Sequence, residues 1–292
     1  MATLSLLRPD SAEWPEPLTR VQAPPKELHT LGDPSVLARP CVAIVGTRHP
    51  TPYGEHVARE LATALAEAGA CIVSGMAIGI DAAAHRAALD AGGTTAAVLG
   101  AGVDQIYPSS NRKLYHRIAE AGVVVSEFEP GRQSFEGCFP RRNRIIAALS
   151  RLTIVVEAGA RSGALITASY ALSFARDVAA VPGRIDAEPS IGANRLLRDG
   201  AHVITCVDDA LALAKFTTRI DTAATARDAA QPSLAIGSDE AEVWRLLATG
   251  GVSADDLVHR TAWPVARCLV AVTNLELQGL VACTPSGAVH RR

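Results

Sequence analysis

CVAIVGTRHPTPYGEHVARELATALAEAGACIVSG, residues 41–75, holds two short apolar runs on either side of a helical pattern. CVAIVG and CIVSG show no polar alternation, so each reads as a strand buried on both faces. Between them, YGEHVARELATALAEAG has the apolar spacing of an amphipathic helix, and Thr51-Pro52 supplies an N-cap and a first-turn proline. The same unit recurs downstream: GIDAAAHRAALDAG, TTAAVLGAG, SNRKLYHRIAEAG, VVVSE, an arginine-bearing helix, LTIVVEA, GALITASYALSFA and DVAAVPG, with a last helix and strand near 190–206. Continuous apolar strands alternating with helices predict an α/β fold with a doubly wound parallel sheet over residues 41–215. Ligands of such sheets lie beyond the carboxyl ends of the strands.

The flanks follow other rules. Residues 1–40 hold seven of the 17 prolines and read as a proline-rich extended arm with one short helix. Residues 216–237 are Thr, Ala, Asp and Gln without periodicity, a linker. Residues 238–292 contain three helical patterns, EAEVWRLLAT, SADDLVHRTA and PVARCLVAVTNLELQG, then LVACTPSGAVHRR, expected as a hairpin around Ser286-Gly287. Three helices and a hairpin predict a small winged-helix-like domain.

Composition excludes several classes. The 292 residues are 48% hydrophobic but only 4% aromatic, so the core must be mainly Ala, Val, Leu and Ile. No apolar run reaches the 18 or so residues of a membrane span, and the N-terminal apolar stretch breaks at Arg8-Pro9-Asp10, too early for a signal peptide. Six scattered cysteines without a CxxC pair favour reduced thiols in a cytoplasm over disulfides or zinc. A net charge of -2 gives no global attraction to polyanions. Between Arg132 and Arg161, however, six arginines face two acids.

Small residues punctuate each strand exit: Gly46-Thr47-Arg48, Ser74-Gly75 through Gly79, Gly100-Ala101-Gly102 ahead of Tyr107-Pro108 and Asn111, and Gly159-Ala160-Arg161-Ser162-Gly163. Glycines let backbone N–H groups approach a ligand, and helix N-termini offer unpaired donors to anions, so these exits together make a phosphate-binding rim. Neither GxGxxG nor GxxxxGK[ST] occurs, so no dinucleotide or nucleoside triphosphate cofactor is expected. Asp81 and His85, four apart, are read as structural pairing rather than metal ligands. The serines and cysteines have no recognisable His or acid partner, so no nucleophile is nominated.

CFPRRNRIIAAL, 138–149, is expected to put Arg141, Arg142 and Arg144 on the first turn of a helix. Cations there oppose the helix dipole unless an anion binds. Arg141 and Arg144 share a face, with Ile145, Ile146 and Leu149 inward and Phe139 offering a stacking surface. Two readings stand: a phosphate site with a base beside it, or an arginine turn paired with nearby carboxylates.

AIVGTRHPTPYG, VSGMAIGIDAAAH, GGTTAAVLGAGVDQIYPSSN, SEFEPG, FPRRNRIIAALS, VVEAGARSGALITA, AVPG and SIGANRLLRDGA resemble, in order and spacing, the DNA-processing protein A family (DprA, also called Smf). The resemblance covers about residues 28–212, and the tail from about 238 is similar to the winged-helix-like domain of many members. It implies an extended Rossmann fold, single-stranded DNA binding, homodimerisation, and help in loading the RecA recombinase onto DNA taken up in natural transformation, without catalysis or cofactor. By resemblance the site comprises Gly46, Thr47 and Arg48; Phe139, Arg141, Arg142, Asn143 and Arg144; and Ser74, Gly75, Gly79, Asn111, Ser162, Gly163 and Thr167.

The departures are specific. The helical N-terminal domain of many members is not expected ahead of the arm. Members often carry GRxVFAVPG where this chain reads Ala175-Arg176-Asp177-Val178-Ala179-Ala180-Val181-Pro182-Gly183. The candidate recognition helix of the tail, 264–279, carries one basic residue, Arg267, which argues against strong duplex binding. An alternative is a nucleoside monophosphate-processing enzyme with a related Rossmann core, but the matching segment Ala158–Thr167 lacks the carboxylate of the PGGxGTxxE motif.

Overall fold

In chain order, the first unit runs β1 (Leu4–Leu7), β2 (Leu28–Gly32), β3 (Cys41–Val45), α1 (Pro52–Glu67), β4 (Cys71–Ser74), α2 (Ile80–Asp90), β5 (Thr94–Leu99), α3 (Arg112–Ala121) and β6 (Val123–Ser126). It continues through α4 (Cys138–Leu149), β7 (Leu152–Val155), α5 (Gly163–Ser173), β8 (Asp177–Ala180), α6 (Ile191–Arg198), β9 (His202–Val203) and α7 (Val207–Leu213). The computed structural model describes residues 2–135, 137–216, 238–247, 252–261, 263–277, 280–283 and 288–291. The chain divides into two units, Met1–Arg219 and Ile220–Arg292.

The nine strands form one sheet in the order β1-β2-β6-β5-β4-β3-β7-β8-β9. From β6 to β9 every neighbouring pair is parallel. The chain walks outward from β3 to β6, then jumps back over the sheet through α4 to start β7 on the other side of β3. That reversal leaves a crevice beyond the ends of β3 and β7, the usual ligand position in such sheets.

Alternation along each central strand divides the core. Val42, Ile44, Ile72, Leu152 and Ile154 pack with α1, α2 and α7, while Ala43, Val45, Val73, Val98 and Val155 meet α4 and α5. Each fully buried Ile or Leu contributes roughly 1.5–3 kcal/mol. Helix α1 forms where the spacing places it: Thr51 caps it by accepting from Gly54 N, Pro52 occupies its first position, and Ala58, Leu61, Ala62 and Leu65 make its buried stripe.

The doubly wound parallel sheet expected from the sequence is present, and strands from the proline-rich segment extend it at one edge, antiparallel. β1 pairs antiparallel with β2, and β2 pairs antiparallel with β6. Two 3-10 turns replace the single short helix expected there. The segment's Trp14, Leu18, Leu28, Val36 and Leu37 join the core under α4. Among the described residues no helix is long and apolar enough to cross a membrane.

The second unit holds α8 (Ser238–Leu246), β10 (Val252–Ser253), α9 (Ala254–Thr261), α10 (Val265–Leu277), β11 (Val281–Cys283) and β12 (Ala288–Arg291). Its strands form a sheet in the order β10-β12-β11, both pairs antiparallel. Val243, Leu247, Leu257, Val272, Leu275, Val281 and Val289 close its core. This is a winged-helix domain, with a short strand added between the first two helices. Arg267, the one basic residue of α10, is held by Asp239 at 2.6 Å and lies 4.4 Å over the Trp263 ring. Val265, Leu269 and Val270 face outward beside it. The linker from 217 to 237 and the hairpin tip at Ser286-Gly287 lie outside the described residues.

Candidate nucleic-acid interface

The exits of β3 and β7 are locked together before either reaches solvent. Thr47 N donates to Glu157 O at 2.7 Å, and Thr47 O accepts from Ile80 N at 3.2 Å. Glu157, buried, takes the Thr51 hydroxyl at 2.5 Å and the Thr51 N–H at 2.9 Å, which fixes the start of α1. Gly46 lies against Ile80 and the Glu157 carbonyl. Gly79 begins α2 with φ +83° and packs on the Thr47 carbonyl, where a side chain would meet both strain and backbone. On the β7 side Ser162 caps α5, accepting from Ala164 N, and Asn143 Nδ2 donates to Gly163 O at 3.1 Å. Asn143 thereby ties α4 to the start of α5.

Between these exits opens a cleft of ≈ 600 Å³, lined among others by Gly46, Thr47, Arg48, Asn143, Ser162, Gly163 and the buried Thr167. Arg48 comes from the β3 exit and Arg161 from the β7 exit. Both are exposed, and neither has a carboxylate in ion-pair distance among the described residues. Phe139, with Arg48, Ala77 and Arg142, lines both this cleft and a smaller adjoining pocket. Its ring lies 5.6 Å from that of Tyr107, which is 52% exposed, and Arg48 Cζ stands 5.8 Å over it. Gly100 makes room for this arrangement, since a Cβ there would sit 3.1 Å from both Cys138 Sγ and the Phe139 ring. Guanidinium and two rings in sequence form a platform on which unpaired bases can stack.

The arginine turn differs from its sequence reading. α4 starts at Cys138, so Arg141, Arg142 and Arg144 lie beyond its first three positions, where the dipole penalty has largely faded. Arg141 Nε reaches Glu127 at 2.9 Å and the guanidinium covers Phe128, outside the cleft. Arg144 also pairs with Glu127, with the side chains of both 12% and 11% exposed. These two arginines are carboxylate partners, the alternative the sequence left open.

Arg142 turns inward. Its Nη1 donates to the carbonyls of Gly75, at 2.5 Å, and Val98, while Nε donates to Asn143 Oδ1 at 3.2 Å. It joins the ends of β4 and β5 and reaches the cleft only as part of its floor. Burial lowers its pKa to about 10, opposed by the charge of Asp81, and it stays protonated at neutral pH. Asp81 accepts from Gly75 N at 3.1 Å, and burial raises its pKa against the pull of Arg142. Gly75 is squeezed between them: an added Cβ would lie 2.5 Å from the Arg142 guanidinium.

Two further candidates face the interior. Ser74 Oγ donates to Ile44 O at 2.7 Å, and Asn111 Nδ2 donates to Met76 O at 3.0 Å, pinning the loop after β4. Both are buried and neither lines the cleft. His85 pairs with the Thr95 hydroxyl at 2.6 Å inside the core, and burial lowers its pKa to about 3. Among the described residues no cluster of three His, Cys, Asp or Glu is placed to hold a metal. Sequence reasoning named Tyr107 and Arg161 in the strand-exit loops but did not count them among the site residues. Both stand in strand-exit loops without an adjacent acid, a usable signal.

An open α/β sheet with a cationic, ring-lined cleft at its switch point, and a winged-helix unit after it, defines a Rossmann-like class of binding protein. Residues 5–215 match the family model of DNA recombination-mediator protein A, and residues 225–287 match the DprA winged helix domain. The chain belongs to the DNA recombination-mediator protein A (DprA/Smf) family. It is 43% identical over 245 residues to the DprA protein of Mycobacterium tuberculosis, covering 82% of this chain but spanning only 62% of that relative. Protein Smf of Escherichia coli is 36% identical over 98% of this chain and 77% of its own. The structure of DNA processing protein A from Streptococcus pneumoniae superposes with TM-score 0.70 at 40% identity, over 74% of this chain and 75% of that one. That of DNA processing protein A from Helicobacter pylori, studied for its single-stranded DNA binding mode, superposes with TM-score 0.65 at 35% identity, over 71% and 93%.

Proposed function

We propose that this protein binds single-stranded DNA and acts, without catalysing a reaction on it, as a recombination mediator that helps load RecA onto DNA taken up in natural transformation. The observation that carries this reading is the pair Arg48 and Arg161, without a carboxylate in ion-pair distance among the described residues, beside the tilted ring pair of Phe139 and Tyr107. Phosphates need the first pair and unpaired bases need the second; a duplex hides its base faces from both. The named single-strand binding of the Helicobacter pylori relative supports it. A homodimer in the cytoplasm belongs to the same reading. A nucleoside monophosphate-processing enzyme has less support, because Ala158–Thr167 supplies no carboxylate to the cleft.

The test is an anisotropy titration of a labelled single strand against a duplex of equal length. Single-strand preference with little sequence dependence is expected. Equal affinity for the duplex would overturn the reading, and release of free base from nucleotides would favour the enzyme.

A further inference from the structure

At the amino ends of β3 and β7, remote from the cleft, lies a second hollow. Arg39, Arg151 and Arg176 converge there on a cavity of ≈ 500 Å³ floored by Trp14, a size that suits a small ligand. None of the three has a carboxylate in ion-pair distance among the described residues. Arg151 commits Nη1 to Ala214 O at 3.0 Å and lies over the Phe216 ring, which leaves its other donors available.

Two buried polar atoms of this hollow, Ser150 Oγ and Arg176 Nε, have no hydrogen-bond partner among the described residues. Ser150 is fully buried and lines the cavity. Buried donors left unpaired are costly and correspondingly rare, and two in one cationic pocket point to an acceptor-rich anion. Charge compensation for the carboxyl end of α4, which also points here, would account for the arginines but not for these two atoms. Glu13 and Glu16 stand in the same lining, and Glu16 is already paired with Arg20 at 2.5 Å. Carboxylates beside the guanidiniums suit a ligand that carries hydroxyl or amino donors next to its anionic group.

We propose that this hollow is a second, phosphate-binding site for a phosphate ester of nucleotide size, with Arg39, Arg151 and Arg176 holding the charge and Ser150 donating to a phosphate oxygen. The proposal is independent of the reading of the cleft. The phosphate has two possible sources, a free nucleotide or a DNA strand long enough to reach round from the cleft.

Calorimetric titration of inorganic phosphate and deoxyadenosine monophosphate into the Arg48→Ala/Arg161→Ala protein, which removes both unpaired cations of the cleft, tests the first source. Saturable nucleotide binding, weakened about tenfold or more when Arg39→Gln or Arg176→Gln is added, supports a free nucleotide. The second source is tested in the otherwise unchanged chain with a hexanucleotide and with a strand several times longer. Loss of affinity confined to the longer strand in the same variants supports a strand phosphate. Arg39 is exposed, so Arg39→Gln keeps the test valid if Arg176→Gln folds poorly. If neither variant changes the binding of nucleotide, phosphate or the long strand, the site does not exist. Failure here leaves short-strand binding by the cleft untouched, and failure of the cleft leaves nucleotide binding here untouched.

Discussion

Replacing Arg48 and Arg144 by alanine, one at a time, separates a ligand contact from an internal pair. Arg48 is exposed in the cleft with no carboxylate in ion-pair distance among the described residues, so Arg48→Ala removes one cation and little packing. Each phosphate contact to a single strand adds about 0.7 to the slope of log affinity against log salt. Losing one flattens the slope by that amount, and raising salt fourfold then weakens the variant about 2–3-fold less than the parent. Melting should hardly change. Arg144 and Glu127 form a nearly buried pair, and Arg144→Ala leaves Glu127 with Arg141 alone, whose side chain is 55% exposed. Breaking a buried pair costs about 3–5 kcal/mol when nothing replaces the partner; with Arg141 retained, about 1–3 kcal/mol is expected. For a domain of this size that lowers the melting temperature by about 3–10 °C. Anisotropy titrations across a salt series, run beside thermal melts, read both quantities. An unchanged slope for Arg48→Ala, or a flattened slope with unchanged melting for Arg144→Ala, would refute the assignment.

Gly75→Ala forces a methyl to within 2.5 Å of the Arg142 guanidinium, so it should lower stability and single-strand affinity together. A melt indistinguishable from the parent would show that the guanidinium moves freely. His85, held neutral with a pKa near 3 against 6.5 unfolded, gives stability that is present above pH 6.5 and lost as pH falls towards 3. That loss approaches about 1.4 kcal/mol per pH unit in the limit of one group, and His85→Gln should flatten the fall in a pH series of melts. A chain ending after Lys215 should keep most single-strand affinity, since the one basic residue of α10 is bound to Asp239; near-complete loss on truncation would move the site to the winged helix.

The alternation of apolar runs with helical patterns made the central sheet legible, because a strand buried on both faces leaves no polar residue to confuse the period. Its edge was not legible. LSLL and LHTLG are short and sit among prolines; LSLL pairs with LHTLG, and LHTLG finds its other neighbour, β6, about ninety residues away, a pairing no local pattern encodes. The glycine-marked exits located the cleft, but not the direction of its side chains. Arg141 and Arg144, three positions apart, share one face of α4, while Arg142 lies about 100° round from Arg141 and meets a different neighbourhood. What each meets, Glu127 for the first and third and the Gly75 and Val98 carbonyls for the second, comes from other segments. Ser74 and Asn111 bond backbone carbonyls instead of lining the cleft, because a polar residue at a strand exit serves the backbone as readily as a ligand.

The floor of the cleft is held by bonds that involve no ligand: Glu157 to Thr51, Arg142 to the ends of β4 and β5, Asn143 to Gly163. A DNA strand settling there would meet a floor already in its final shape, so apart from ordering Arg48, Arg161 and Tyr107 most of the conformational entropy lost on binding would be the strand's own. Affinity then tracks how stiff the strand is when free. A run of self-stacked purines must first give up its order, whereas a limp pyrimidine run has none to surrender. Base composition would then shift the affinity modestly, without any base edge having to be read.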